Sequence, residues 1–449
     1  MTSTTQPICL ILAHDVWSIH FDRRILNQAD ILADEGYSVF IACFRKKAAR
    51  KSAQGTPPPI ESVQILNGRS YRLIICTLTD CAELPSLPFP FTSFKTSPLR
   101  AFIKYLALTL FKGLSRLFPD ILYFAEFKQT LATQISSPLP FDLPLVQTIL
   151  KEHSSDASGF RLSSSSLIIS CDSTTARAGY MLKDLFSCRL WFDMHEYYSQ
   201  QRVFQPATKR YISCVENFVC KRADRVYTVN PMLAERISSD MGAQVLSLQN
   251  YYVPSPPLSL DLTQNSASSQ ATPLNILFHG GAGPFRNIPN LVKAFINMPP
   301  DLAHLTMFQH GMSRSLLGAA SNASQISVHG FFDGQLLDYF LSQADAIIIP
   351  YAGIDVNTVL CSPNKLGDAI ALGKPVLFNS ELLYLRSLAS HYPSLIPVNC
   401  SSPQALSSSI LAAIPLIHKI TPAQKQAIYD DLGAPSQSEM FRQWVRQLR

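Results

Sequence analysis

Short, wholly apolar runs that end on a polar residue, each followed by a helical pattern, recur through this chain. The first is Ile8-Cys-Leu-Ile-Leu-Ala13, closed by His14-Asp15. An apolar run without alternation marks a strand covered on both faces, the habit of parallel sheets flanked by helices. A helix is expected from about Arg23 to Glu35, stopped at Gly36, and Tyr37 to Cys43 reads as the next strand. Strand, helix, strand in that order opens a doubly wound α/β domain. Further strands are expected at Ser70–Thr77, Leu167–Asp172, Arg189–Asp193, Ala223–Asn230, Leu274–Phe278, His304–Phe308, Ala344–Tyr351 and Val376–Phe378. In such sheets ligands bind beyond the carboxyl ends of the strands. The residues that close each run are therefore the first candidates for function.

The series is broken once. Residues 254–273 are rich in Pro, Ser, Gln and Asn, with Asp261 as their only charge. That composition marks a linker. It divides the 449 residues into two α/β units, 1–253 and 274–423, with a last helical stretch, 424–449, free to cross back to the first. A net charge of +6 is modest for this length and lacks the concentrated basic stripe of a nucleic-acid binder. Ten scattered cysteines without a C-x-x-C imply reduced thiols and a cytoplasmic setting. No uncharged apolar run reaches 18 residues, so no membrane-spanning helix is expected. Residues 99–118 form a different pattern. At about 100° per residue, Leu99, Phe102, Ile103, Leu106, Leu110 and Leu117 share an arc of about 120°. Arg100, Lys104, Lys112 and Arg116 lie opposite them, with no acidic residue between. Such a helix either lies in the surface of an anionic membrane or packs its apolar face on the domain.

Ser362-Pro-Asn-Lys-Leu-Gly-Asp-Ala-Ile-Ala-Leu-Gly-Lys-Pro375 reads as a short helix marked at both ends. Ser362 is the expected cap and Pro363 the first helical residue. Gly373 suits the left-handed turn that ends a helix, and Pro375 blocks continuation. Asn364 and Asp368, four apart, share a face beside Lys365. An amide, a carboxylate and an ammonium near a helix start make a plausible nucleotide cradle. His279-Gly-Gly-Ala-Gly-Pro-Phe-Arg-Asn287 sits between a strand and a helix. Its glycines Gly281 and Gly283 let backbone amides approach an anion, and Arg286 offers a bidentate grip.

Together these stretches resemble glycosyltransferases of the GT-B fold, particularly glycosyltransferase family 4. Many bacterial members carry Pro-Asn-Lys-x-x-Glu and then Gly-x-Pro; Asp368 stands here in place of the Glu. The likeness extends to Asp22-x-Arg24 with Gly-Tyr-x-Val, to Asp193-Met-His195-Glu196 and to Ala223-Asp-x-Val. It implies two Rossmann-like domains facing a cleft, and sugar transfer from a nucleotide-diphosphate sugar to an acceptor hydroxyl. It further implies retention of configuration and a role in surface polysaccharide or glycolipid assembly. Gly281, Gly283, Arg286, Asn364, Lys365 and Asp368 would bind the donor. His14, Asp22 and Arg24 would face the acceptor, a saccharide or lipid-linked molecule. His195 would touch the sugar and Glu196 would activate the acceptor side. Asp22 has a second reading as a helix cap, with Arg24 solvated, and Asp193 and Glu196 have a second reading as caps. No Asp-x-Asp occurs, so no metal and no cofactor is expected, basic side chains serving the diphosphate. The family's second Glu is replaced by Leu360. Two rival functions follow: a nucleotide-sugar epimerase on the same fold, and an inactive, membrane-docked scaffold.

Overall fold

The computed structural model describes residues 6–15, 22–46, 62–64, 70–78, 142–155, 159–204, 206–254, 273–330 and 334–448. Two sheets organise them. The first has eight strands, in the order β3-β4-β2-β1-β5-β6-β7-β8. These are β1 (Ile8–Asp15), β2 (Ser38–Lys46), β3 (Ser62–Gln64), β4 (Ser70–Leu78), β5 (Leu167–Cys171), β6 (Arg189–Met194), β7 (Arg225–Thr228) and β8 (Leu246–Ser247). All neighbours pair in parallel except the edge strand β3, which runs antiparallel to β4. The second sheet is six-stranded and wholly parallel, β11-β10-β9-β12-β13-β14. Its strands are β9 (Leu274–Gly281), β10 (Ala303–His310), β11 (Ile326–His329), β12 (Ala346–Ile349), β13 (Val376–Asn379) and β14 (Leu395–Val398).

The apolar runs became strands because both faces of each sheet are covered. In β1, Leu10 and Leu12 enter one core while Cys9, Ile11 and Ala13 enter the core on the opposite face. Period-two geometry divides one run between two helix layers. One layer includes α1 (Arg23–Asp34); the other includes α2 (Asp142–Ser154), α3 (Asp172–Phe186), α4 (Pro206–Cys220) and α5 (Pro231–Met241). Helix α2 was not anticipated, yet its Leu145, Val146 and Ile149 are fully committed to the core. The second sheet is flanked by α6 (Ile288–Ile296), α7 (Arg314–Ser321), α8 (Gly334–Gln343), α10 (Asn364–Ala371), α11 (Leu383–Ala389), α12 (Pro403–His418) and α13 (Pro422–Leu432), whereas the one-turn α9 (Val356–Val359) between β12 and α10 packs Val356 and Val359 on the core of the first unit. The chain leaves the first core at Leu248 and enters the second at Tyr252. Residues 255–272 of the expected linker, 254–273, and the whole of 99–118, the expected cationic helix, lie outside the described residues.

The last helix, α14 (Ala434–Arg446), packs against α1 rather than the second sheet. Phe441 and Val445 complete the α1-side core of the first sheet, where Phe441 meets Trp191 edge-on at 5.7 Å. Gln437 accepts the Gln249 backbone N–H, at the point where the chain passes between sheets.

Strand order fixes where ligands belong. In the first sheet the chain builds outward from β1 through β2 to β4, then restarts on the other side of β1 with β5. The second sheet repeats this, from β9 to β11, then from β12 onward. Each reversal opens a crevice at the carboxyl ends of two strands. The crevices lie beyond β1 and β5, and beyond β9 and β12.

Candidate functional site

The end of β9 carries His279 and Gly280, and the chain runs from it into the turn that holds Arg286; beyond β12 it reaches Tyr351. The backbone N–H of Ala352 donates to the Phe285 carbonyl at 3.0 Å, tying the two strand ends together. Tyr351 is buried, and it organises both cations of the crevice. The Arg286 guanidinium lies 3.9 Å over its ring. Lys365 Nζ donates to its hydroxyl at 2.7 Å. Lys365 is only 6% exposed, and its ammonium also lies 5.1 Å from the Phe278 ring. Gly280 makes room for it. That residue has φ +122°, and a Cβ there would stand 2.9 Å from Lys365 Nζ. Among the described residues neither Arg286 nor Lys365 is ion-paired with a carboxylate. Gly281 closes β9 opposite His310. Gly283 accepts the Arg286 N–H at 3.0 Å.

The helix expected after Ser362 is α10. Its end is as anticipated: Gly373 has φ +56°, Lys374 N–H reaches the Ala369 carbonyl and Gly373 N–H that of Ile370. That pair of bonds is the left-handed C-terminal motif. Its start differs. Pro363 occupies the cap position without a side-chain bond, because the Ser362 hydroxyl instead accepts from Gln249 Nε2 at 2.6 Å. Asn364 is exposed and accepts from Asn250 Nδ2 at 2.9 Å. Asp368, on the same face one turn on, is 2% exposed. Arg23, at the start of α1, forms an ion pair with Asp368 and lies 3.6 Å from Asp338, its guanidinium 3.7 Å over the Tyr252 ring. Burial pushes the Asp368 carboxyl up, and Arg23 and Lys365 offset part of that. His279 Nε2 stands 3.3 Å from Asp368 Oδ2 but has no hydrogen-bond partner. Burial, with Lys365 and Arg23 nearby, holds this imidazole neutral, so the contact is not an ion pair.

In the first crevice the expected residues are present but differently employed. Arg24 was expected at the acceptor rim, or solvated. It is instead 5% exposed and turned into the first unit. Its Nε donates to Asp193 Oδ2 and Oδ1 at 2.8 and 3.0 Å, and Nη2 to Oδ1 at 2.7 Å. Nη1 donates to the Leu248 carbonyl and Asn250 Oδ1. Asp22 caps α1 by accepting the Arg24 N–H at 3.1 Å, and it also faces His195 Nδ1 at 3.2 Å. Its reading as a helix cap is met. The other nitrogen of His195 contacts Asp193 Oδ2 at 3.1 Å. Burial alone would lower the His195 pKa, but the carboxylates of Asp193, Asp172 and Asp22 outweigh it and keep the ring protonated. Both ring nitrogens face carboxylates, Asp22 and Asp193, in this arrangement. His14 has its backbone at the end of β1, and its side chain lies outside the described residues.

Asp172, which sequence reading did not single out, builds the turn that carries these groups. It adopts φ +62° at the start of α3 and accepts the N–H of His195 at 2.9 Å and of Glu196 at 3.3 Å. Burial raises its carboxyl to about 7. Glu196 accepts from Gln201 and is also pushed up by burial, while Arg286 and His195 draw it back. A carboxylate of the first unit thus feels the arginine of the second across the cleft. Leu360 is buried in the core of the first unit, and its carbonyl accepts from Asn230 Nδ2.

Ligand atoms of Cys171, Asp193 and His195 approach within 4.8 Å of one another. They do not suit a metal. Asp193 is already shared by Arg24, Gln28 and His195. The His195 ring is protonated, and burial pushes the Cys171 thiol up to about 12. This set is an ion-pair network.

The fold has counterparts among solved structures. Sucrose-phosphate synthase from Thermosynechococcus elongatus superposes with a TM-score of 0.57 at 15% identity, over 99% of each chain. HepE from Anabaena, solved with UDP-glucose, gives 0.58 at 12% identity over 98% of this chain and 99% of its own. A glycosyltransferase from Rickettsia africae gives 0.56 at 11% identity over 99% of each. The architecture is GT-B. No protein-family model matches the chain, and no curated protein matches it. Arg23, His279 and Tyr351 meet the candidate residues in these crevices and were not named as candidates from the sequence. The strand-end rule reaches His279 and Tyr351; Arg23 lies between two residues that were named.

Proposed function

We propose that this protein is a glycosyltransferase that moves a sugar from a uridine-diphosphate sugar to an acceptor hydroxyl. One observation carries the reading: Arg286 and Lys365, two cations that form no ion pair with a carboxylate among the described residues, converge on Tyr351 at the switch point of the second sheet. Such a pair suits a diphosphate, and it stabilises charge developing on a leaving nucleotide. Uridine is the favoured base because HepE, which shares the fold along nearly the whole chain, is solved with UDP and UDP-glucose. Asp368 would take ribose hydroxyls after exchanging its bond with Arg23. Glu196, facing Arg286, would stand on the acceptor side. With two cations on the diphosphate, transfer without a bridging metal is the form we infer, and retention of configuration is carried over from the resemblance to family 4 alone. Units 1–253 and 274–423 would take acceptor and donor respectively, and residues 99–118 would hold the enzyme on an anionic cytoplasmic membrane face beside a lipid-linked acceptor.

Thermal stabilisation by UDP-, GDP-, ADP- and CMP-sugars in the presence of a chelator tests this. A ligand that binds only the folded state raises the midpoint in proportion to its occupancy. UDP-sugars should stabilise the wild type, and Arg286→Ala should abolish the shift. No shift with any nucleotide at millimolar concentration would sink the transferase. The buried Leu360, where the family has a carboxylate, would then favour the scaffold, and vesicle binding by wild type and Lys104→Glu/Lys112→Glu would test it.

A further inference from the structure

Tyr351 does more in this geometry than fill space between two cations. Its hydroxyl accepts the Lys365 ammonium at 2.7 Å. A phenol that accepts one bond retains its own O–H as a donor. Among the described residues no acceptor takes that proton. The residue is only 4% exposed, and a donor left unmet there is costly until a ligand brings an acceptor to it. Ring and backbone are both held: Arg286 covers one face of the ring, the Tyr351 carbonyl accepts from Asn379 Nδ2 at 2.8 Å, and the next residue is bonded to the Phe285 carbonyl. The hydroxyl therefore stands rigidly beside the ammonium, at the mouth of the β9/β12 crevice.

We propose that Tyr351 is itself an anion ligand. Its O–H donates to a phosphate oxygen of the bound nucleotide, while the same oxygen atom orients Lys365 and the ring orients Arg286. The inference rests on the donor reading above and adds a neutral donor between the two charged ones. A bridging diphosphate would then be met by guanidinium, phenol and ammonium in sequence. A hydrogen bond to a charged acceptor is among the stronger kind, and its loss is expected to weaken binding about tenfold or more.

Titration calorimetry of wild type and Tyr351→Phe with UDP, inorganic pyrophosphate and uridine decides the matter. Phenylalanine keeps the ring under Arg286 and removes only the hydroxyl. UDP and pyrophosphate should each bind about tenfold more weakly, with uridine unchanged within twofold. Tyr351→Leu, which also removes the platform for Arg286, should lose more for UDP and again nothing for uridine. Equal binding of UDP by wild type and Tyr351→Phe overturns the inference and leaves the donor reading standing. Equal losses for UDP and uridine also overturn it, because a merely structural role weakens both. Wild type that binds neither UDP nor pyrophosphate overturns the donor reading and this inference together. If the Phe variant does not fold, 3-fluorotyrosine at 351 keeps the shape and strengthens the O–H as a donor. Tighter UDP with unchanged uridine is then expected, and unchanged UDP overturns the inference.

Discussion

Replacing Arg24 by Met separates the two places this side chain was expected to occupy. On the acceptor rim or in solvent, its loss would change stability by no more than about 0.5 kcal/mol. In the structure it neutralises Asp193, which is 0% exposed, through three contacts of 2.7–3.0 Å. Removing one partner of a buried ion pair costs about 3–5 kcal/mol, because the other charge stays behind. Here the lower part of that range is expected, since His195 and Gln28 still contact Asp193. Arg24 and His195 hold the Asp193 carboxyl well below the usual carboxylate range. A depressed carboxylate contributes stability that is fully present above the unfolded pKa of about 4 and is lost as pH falls through the folded value. The deficit of Arg24→Met should therefore be full at pH 7 and shrink below about pH 4. Urea unfolding followed by tryptophan fluorescence, to which Trp191 and Trp444 of this core contribute, measures it at several pH values. The double variant Arg24→Met/Asp193→Asn should recover part of the loss, because no orphan charge remains. A pH-independent change of less than about 0.5 kcal/mol would refute the buried-pair argument.

Three further outcomes are expected. Gly280→Ala would put a Cβ at φ +122° against Lys365 Nζ, and should weaken UDP binding about tenfold in calorimetry by displacing that ammonium; unchanged affinity would detach Lys365 from the phosphate site. Glu216 is buried, its Oε2 has no partner, and burial raises its carboxyl to about 7. A raised carboxyl favours folding at low pH, so its contribution falls as pH rises from about 4 to about 7 and is flat above. Glu216→Gln should thus gain stability over wild type at pH 8 more than at pH 5, read as melting midpoints across that range; equal differences at both would refute it. Phe441→Ala should destabilise the first unit by about 3–5 kcal/mol in the same urea assay, and a value below about 1 kcal/mol would place α14 outside that core.

The strands were legible because sheets covered on both faces leave a continuous apolar signature. The strand ends were legible with them, which is why the Gly-rich turn and the Asp193–Glu196 run were found. The employment of each side chain was less so. Arg23 and Arg24 are adjacent, and about 100° of helical rotation separates them. That rotation sends one guanidinium to Asp368 of the second unit and the other to Asp193 of the first. No local pattern distinguishes the two, since their acids lie 345 and 169 residues away. The Ser362 cap looked sound locally but was overridden by Gln249, a residue from the other side of the linker. The carboxylates around His195 were not foreseen because neither Asp22 nor Asp172 is near it in sequence. Tyr351 closed a strand at the right place and went unmarked because an aromatic there reads as packing. The Gly373 terminus needed nothing distant and was read correctly.

The path of α14 sets a timetable for synthesis. Its Phe441 and Val445 fill a core whose earliest strand begins at Ile8. A ribosome emitting this chain at about 5–20 residues per second produces the whole second unit before that core can be sealed. Until then the α1 side of the first sheet, covered among the described residues by α1 alone, leaves open the apolar patch that Phe441 and Val445 will fill. The second sheet, from β9 to β14, closes within its own stretch of sequence and needs no such wait. The unit made first is thus the one finished last, and a premature stop shortly before α14 should release a protein whose second half is sound and whose first half is a client for chaperones.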